Sequence, residues 1–410
     1  MNAQVQNVKA EGGASGNDDV VIVGAARTPF GKLLGGLAGI PATELGAHAI
    51  RGALAQSGVV GEEVDAVVMG QVLQAGVGQN PAKQAALAAG ISPRAHTATV
   101  NKVCLSGLTA AIDAARLIRS GEAQVVVAGG MESMSQAPHL LPRSRGGVKY
   151  GAFSALDHLE HDGLRAADLG ISMGLLTEEY AETYPASRAE QDQVAALSHQ
   201  RAHAATGEGV FDAEIVPVDV ATRKGEVTVA ADEGIREGVT VESLAKLRPA
   251  FSADGDITAG NSSPITDGAA AVVLTTRAHA DSRGWNVLAA LRAPGQVAGP
   301  DSSLQAQPAN ALQAALERQG WSVGDLDHIE INEAFGAVIV YSARQLGIAP
   351  EDVNPHGGAI AMGHPIGASG ARLLVHAAQR IAAGAANRAG VALCGGGGQG
   401  EALLLEGNNG

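Results

Sequence analysis

The chain has 410 residues, 46% of them apolar, which is more length than a single growing hydrophobic core usually serves and ample material for two or three domains. A formal charge of -14 excludes the concentrated basic footprint of a nucleic-acid binder, yet leaves room for an anionic small ligand held by a few arginines and helix N-termini. Only 3% of residues are aromatic while 55 are glycine, so the core must be built from Ala, Val, Leu and Ile with backbones lying close together.

Residues 1–18 are polar and glycine-containing, with no apolar stretch of signal-peptide type, and read as a loose tail. Val20–Gly24 is the first strand, Thr43–Gln56 has helical spacing, and Ala66–Gly70 is a second strand. A helix follows over Pro81–Ala89. A run rich in β-branched residues, Thr97–Val103, leads into Cys104, and Gly107–Arg119 turns helical. Gln124–Gly129 closes this part as another strand. The alternation predicts α/β layers with parallel strands and helices on their faces. After Met134 the composition changes to charged stretches and prolines, with helical patterns at Ala166–Tyr184 and Arg188–Thr206. The region 135–260 is expected to be an insertion forming a lid or binding surface. Strand character resumes at Ala269–Leu274. Pro308–Gln319, Phe335–Leu346 and Ala371–Ala383 are then predicted helices, with strands at His328–Ile331 and Val391–Cys394. Strands ending in glycine-rich turns in both halves point to an internal duplication. No apolar run reaches the roughly 18–20 residues of a membrane helix. Two cysteines are too few for a disulfide scaffold, so free thiols and a cytoplasmic location are expected.

Three constellations can carry chemistry. In Asn101-Lys102-Val103-Cys104-Leu105-Ser106-Gly107 a cysteine stands between a strand and a helix, where unpaired N–H groups favour a thiolate. A buried inert thiol is the plain alternative. Asn354–Gly370 holds five glycines, two prolines, His356 and His364, and reads as a shaped loop in which either imidazole could take a proton from a thiol. Cys394-Gly395-Gly396-Gly397-Gly398-Gln399-Gly400 places a second thiol at a strand end, where successive backbone N–H groups can face an anion. Two thiols in two shaped turns suggest proton removal from carbon as well as acyl transfer. Asn332, in Asn332-Glu333-Ala334-Phe335-Gly336, can hold a water or donate an amide towards an oxyanion, and can equally cap the next helix. A zinc site from Cys104, Cys394, His356 and His364 lacks a compact ligand motif and would block the nucleophile, so no metal is expected.

Together with Gly129–Ser135 and Arg248–Gly268, these stretches resemble the thiolase family from about Val20 onward, in the family's order. The resemblance implies two duplicated α/β halves stacked as five layers, αβαβα, with residues 19–134 and 261–284 forming one half and 285–410 the other. It implies that 135–260 is an inserted loop domain binding coenzyme A. It further implies that Cys104 becomes the acyl thioester, that His364 activates it, and that Cys394 exchanges the α-carbon proton. Asn332 would position a water that completes one oxyanion hole with His364, while the N–H groups of Cys104 and Gly396 form the other. Ser263, Arg236 and Met173 align with coenzyme A contacts. The implied reaction condenses two acetyl-CoA molecules or cleaves acetoacetyl-CoA. A broader 3-ketoacyl-CoA thiolase is the alternative. The substrates would be coenzyme A thioesters with no permanently bound cofactor, in a homotetramer or homodimer, without nucleic-acid or membrane partners. The chain departs from the family at His356, where many members carry Asn, at Ser172, where acetoacetyl-forming members often carry His, and at Gly336, where alanine is more usual.

Overall fold

The computed structural model describes residues 18–223 and 225–408; nearly all of the tail expected at 1–18 lies outside the described residues. The first half runs β1 (Val20–Arg27), β2 (Gly31–Lys32), α1 (Ala42–Ser57), β3 (Ala66–Gly70), α2 (Pro81–Ala88), β4 (His96–Val100), α3 (Ser106–Arg119) and β5 (Val126–Ser133). An irregular stretch follows with the two-residue strands β6 (His139–Leu140), β7 (Leu156–Asp157), β8 (Arg165–Ala166) and β9 (Ile171–Ser172). It continues through α4 (Met173–Glu179), α5 (Arg188–Gly207), the hairpin β10 (Val218–Thr222) and β11 (Gly225–Val229), and α6 (Val241–Leu244). β12 (Thr266–Thr276) and α7 (Arg277–Arg283) return to the first half. The second half is β13 (Ala289–Ala298), α8 (Gln307–Gln319), β14 (His328–Ile331), α9 (Gly336–Leu346), α10 (Ala359–Met362), α11 (Ser369–Ala382), β15 (Arg388–Gly395) and β16 (Gln399–Glu406).

The strands lie in the order β14-β15-β16-β13-β1-β12-β5-β3-β4, with β2 attached to β12. Among the described residues the two half-sheets pair where β1 meets β13, at Val21 with Ala290 and Ile22 with Ala289. The halves repeat one path: β3, β5, β12 and β1 correspond in order and neighbours to β14, β15, β16 and β13. The strands are not all parallel, as the alternating pattern had suggested. β3 runs parallel to β4 and β5, and β14 parallel to β15, while β12 and β16 run antiparallel to their neighbours. The β15–β16 reversal follows from its short glycine connection, since a tight hairpin can join only antiparallel strands.

Apolar contacts sort the helices into layers. α1 and α2 cover the outer face of the first half-sheet, α8 and α9 that of the second, and α3 and α11 lie between the two. The middle position shows in the sequence of α11, where eleven of fourteen residues are buried, Arg372 and His376 among them. A helix buried nearly all round, polar side chains included, is one with neighbours on every side. β1 and β5 are buried at all eight positions each, the pattern of strands covered on both faces.

Several local readings differ from the fold. Of Ala166–Tyr184, only Met173–Glu179 is helical; Gly170 at φ +68° turns the chain between β8 and β9 instead. The β-branched run into Cys104 ends as a strand at Val100, because Val103 takes φ +51°. β13 escapes a pattern reading because Pro294 interrupts it at a register shift.

Candidate active site

The turn that carries Cys104 is fixed by short-range hydrogen bonds. Asn101 Oδ1 accepts from the Val103 N–H at 3.1 Å, and Ser106 Oγ accepts from the Lys102 N–H at 2.8 Å while donating to the Val103 carbonyl at 2.6 Å. Lys102 Nζ reaches Glu401 on β16 at 2.5 Å, tying the turn to the other half. These contacts hold Val103 at a positive φ that a β-branched residue rarely adopts, and such strain persists only where the surroundings impose it. Cys104 therefore comes just before α3, partly exposed, with its own N–H and that of Gly396 directed at the sulfur. Burial pushes the thiol up to about 12 against the pull of those two N–H groups. At neutral pH the Cys104 side chain is therefore a protonated thiol.

His364 occupies the corresponding place before α11. Its loop lies so close to the first half that a Cβ on Gly130 would stand 2.0 Å from the Gly367 carbonyl. Glu132, fully buried, accepts the N–H groups of Val72, Leu73 and Gly367, each at 3.0 Å, and so ties the first half to the His364 loop. Burial lifts its carboxyl to about 7 against the pull of those donors. His364 Nδ1 lies 2.5 Å from Ser369 Oγ, and that hydroxyl gives its one proton to the Pro365 carbonyl at 3.0 Å. Nδ1 must then carry the hydrogen, as assigned from this network, which leaves a lone pair on Nε2. Nε2 is buried without a hydrogen-bond partner. Burial, helped by the Arg372 charge, lowers the imidazole to about 4, so at neutral pH it is an uncharged base.

Cys394 ends β15 on the inner side of the glycine turn, buried. Burial raises its thiol strongly, and the nearby Cys104 raises it further. Cys104, His364, Cys394 and Gly396 all line one cavity of about 540 Å³, together with Ser263 and Met173. The rest of its wall is mostly apolar, including Met134, Phe251, Leu304, Phe335 and Ile366.

Asn332 is fully buried behind this wall. Its Nδ2 lies 3.5 Å from His364 Nδ1, a contact between two hydrogen-bearing nitrogens and not a hydrogen bond, and its Oδ1 has no partner. It does not cap the following helix: α9 begins at Gly336 with Phe335 at the cap and no side-chain bond there. Ser263 spends both its N–H and its Oγ–H on the Ala334 carbonyl, each at 3.1 Å. Met173 opens α4 at the cavity wall. Arg236 is exposed, outside the cavity lining, with Nη2 3.0 Å from His199 Nε2. His356 does not join His364; it turns away to His376, with 3.1 Å between Nδ1 and Nε2.

Sequence reasoning passed over Glu132 as a functional residue, although it stands inside the Gly129–Ser135 motif. A carboxylate in an otherwise apolar strand was the available signal. Phe251 and Ile366 were also missed, because apolar cavity walls look like core until the fold assembles them.

The sequence matches the family profile for the thiolase N-terminal domain over residues 20–278 and that for the thiolase C-terminal domain over 285–407. A probable acetyl-CoA acetyltransferase of Mycolicibacterium smegmatis is 54% identical over 386 residues, covering 94% of this chain and 100% of that protein. An acetyl-CoA acetyltransferase of Pseudomonas aeruginosa is 48% identical, covering 94% and 99%. The crystal structure of the Bacillus anthracis acetyl-CoA acetyltransferase superimposes with a TM-score of 0.92 at 37% identity, covering 95% of this chain and 98% of that one. With a duplicated path, a middle layer of two helices and two thiols facing one cavity, this chain belongs to the thiolase family.

Proposed function

We propose that the chain is an acetyl-CoA C-acetyltransferase, catalysing the reversible Claisen condensation of two acetyl-CoA molecules to acetoacetyl-CoA and coenzyme A. The observation that carries this reading is the meeting of two thiols, one uncharged imidazole and two sulfur-directed N–H groups at a single cavity. Relatives bearing the acetyl-CoA acetyltransferase name over nearly their whole length support it.

In the first half-reaction His364 Nε2 takes the Cys104 proton as the sulfur attacks the thioester carbon. The N–H groups of Cys104 and Gly396 hold the oxyanion, the carbon–sulfur bond to coenzyme A breaks, and the departing thiolate takes the Cys394 proton. The enzyme then holds acetyl-Cys104, a Cys394 thiolate and a His364 imidazolium. In the second half-reaction the Cys394 thiolate removes the α-proton of another acetyl-CoA. The enolate oxygen is held by His364 Nε2–H and a water positioned by Asn332, and its carbon attacks the acetyl group. As acetoacetyl-CoA leaves, the Cys104 thiolate recovers its proton from His364, and all groups return to their starting state. Each oxyanion contact contributes about 3 kcal/mol in comparable sites.

We assign coenzyme A binding to the 135–260 insertion, with Met173 at the cavity and Arg236 at the surface, and to Ser263 just beyond it on the cavity wall. The apolar wall gives a broader ketoacyl range a place to act, since a methylene discriminates by only about 1–3 kcal/mol. Oligomerisation to a dimer or tetramer belongs to the same reading. It is supported by Leu141, Val148, Tyr150 and Phe153, all exposed on one stretch of the insertion, and by the uncovered edge strand β4. A cytoplasmic setting accords with two free thiols. Among the described residues no helix is long and apolar enough to cross a membrane.

The experiment is intact-protein mass spectrometry after incubation with acetyl-CoA, with peptide mapping and a parallel assay of acetoacetyl-CoA. Acetylation at Cys104 is expected. Turnover with no label on that residue overturns the assignment.

A further inference from the structure

We propose that His328, His356 and His376 form a binding site for a divalent transition-metal ion of the zinc type, separate from the reaction cavity, that staples together three segments behind the catalytic groups. One donor atom from each histidine lies within 4.8 Å of the others, and none of the three lines the cavity. His356 Nδ1 and His376 Nε2 are 3.1 Å apart. Two nitrogens bound tetrahedrally at about 2.0–2.1 Å from zinc stand roughly 3.3 Å apart, so this pair needs little adjustment.

Two further observations point to a ligand. His376 Nδ1 is 2.8 Å from Glu214 Oε2, and Glu214 Oε1 accepts from Arg27 Nε at 2.7 Å. A carboxylate on the far ring nitrogen is how a metal-binding imidazole is usually oriented, and it leaves Nε2 facing the other histidines. Secondly, His328 Nε2 and Glu330 Oε1 are both buried without a hydrogen-bond partner. They lie 3.2 Å apart, but not in hydrogen-bonding geometry. Glu330 Oε2 is held by Arg372 Nη1 at 3.0 Å, which fixes the carboxylate beside His328 and leaves the fourth position of the ion to a solvent molecule. A plain relay from Glu214 through His376 to His356 explains the first contact, but not why His328 brings a third donor atom within 4.8 Å of the other two.

The site would join β14, which leads to Asn332, the loop that leads to His364, and α11, whose Ser369 holds His364. Binding displaces the hydrogen between His356 Nδ1 and His376 Nε2, which moves to Nε2 of His356 by tautomerisation and leaves a lone pair on each nitrogen facing the ion.

The test uses the untagged full chain, alkylated with iodoacetamide to block Cys104, stripped with a chelator and titrated with Co2+ and then Zn2+. One Co2+ per chain with the intense visible bands of four-coordination is expected, together with a rise in Tm on adding Zn2+. His356→Asn keeps a group able to hydrogen-bond His376 and should lose both signals. His328→Leu, which breaks no observed hydrogen bond, is the second variant and should also lose them. Absence of saturable binding, weak octahedral-type spectra, or unchanged binding in either folded variant overturns the proposal.

Discussion

In the first half the antiparallel neighbours β5 and β12 are joined by residues 134–265, whereas the corresponding pair in the second half, β15 and β16, is joined only by Gly396, Gly397 and Gly398. The long connection supplies cavity wall, including Met173, Phe251 and Ser263, and the short one delivers the Gly396 N–H to the Cys104 sulfur. The two middle helices make a similar contrast: the loop before α3 presents a thiol, and the loop before α11 an imidazole. The duplicated path thus brings equivalent places together across the middle layer, where side chains of different chemistry can meet. The two cysteines diverge for the same reason. Cys104 has two N–H groups drawing its pKa down against burial, whereas at Cys394 only its own N–H opposes burial and the neighbouring sulfur. In the proposed reaction the sulfur with more N–H support is the one that attacks and departs, and the less supported one is the base towards carbon.

The largest effect should come from Cys104→Ser. Acetyl-enzyme should vanish by mass spectrometry and acetoacetyl-CoA formation should fall below detection, with the far-ultraviolet circular dichroism unchanged. Persisting acylation would show that the half-to-half division of roles is wrong. Cys394→Ala should separate the two thiols: it still accepts acetyl from acetyl-CoA, more slowly, and completes no condensation. Loss of acylation altogether would merge their roles. His364→Ala should slow acylation by roughly 10²–10⁴-fold, the range for a positioned base. With its pKa lowered to about 4, the wild-type imidazole is fully basic at neutral pH and is lost to protonation only as pH falls through that value. A pre-steady-state pH profile of acylation should therefore stay level through 6.5; an acid limb there would contradict the buried, uncharged base. The short connection is tested by a pair of variants. Gly396→Pro deletes the N–H and should cost roughly 10²–10³-fold in kcat. Gly396→Ala keeps it and should stay within a few-fold, since an added Cβ meets nothing nearer than Val103 at 3.6 Å. Equal losses would make shape, not the N–H, the contribution of that turn. The smallest effect concerns the long connection. Phe251, edge-on to Phe335, walls the cavity, and Phe251→Ala should shift preference towards longer ketoacyl-CoAs by about 1–3 kcal/mol per methylene accommodated. An unchanged chain-length profile would remove the insertion from substrate selection.

Elements whose signal is local were legible before any fold was known. β3 and β14 were placed to the residue, and α2, α5, α8 and α9 to within one residue at each end. Gln399–Glu406 was missed because Glu401-Ala402-Leu403-Leu404-Leu405-Glu406 carries no strand alternation; it is buried on both faces between β13 and β15. Asn332 showed an oxyanion role and a capping role alike, and the start of α9 at Gly336, with Phe335 at the cap, removes only the second. His356 and His364 were equal candidates by chemistry. Backbone path divides them, sending one to the cavity and the other to His376.

What the amino-acid sequence determined by itself was the set of reactive groups and the turns that carry them: a cysteine ahead of a helix, a histidine in a glycine-rich loop, and a cysteine before four glycines. Each depends on the preferences of a few adjacent residues, which act over one or two turns of chain. What only the tertiary structure decided was their meeting. The proton states of Cys104 and His364, the aim of the Gly396 N–H and the grouping of three histidines arise from burial and contacts between residues up to hundreds of positions apart. No local pattern encodes them, because desolvation exists only once the two halves have closed over the middle layer.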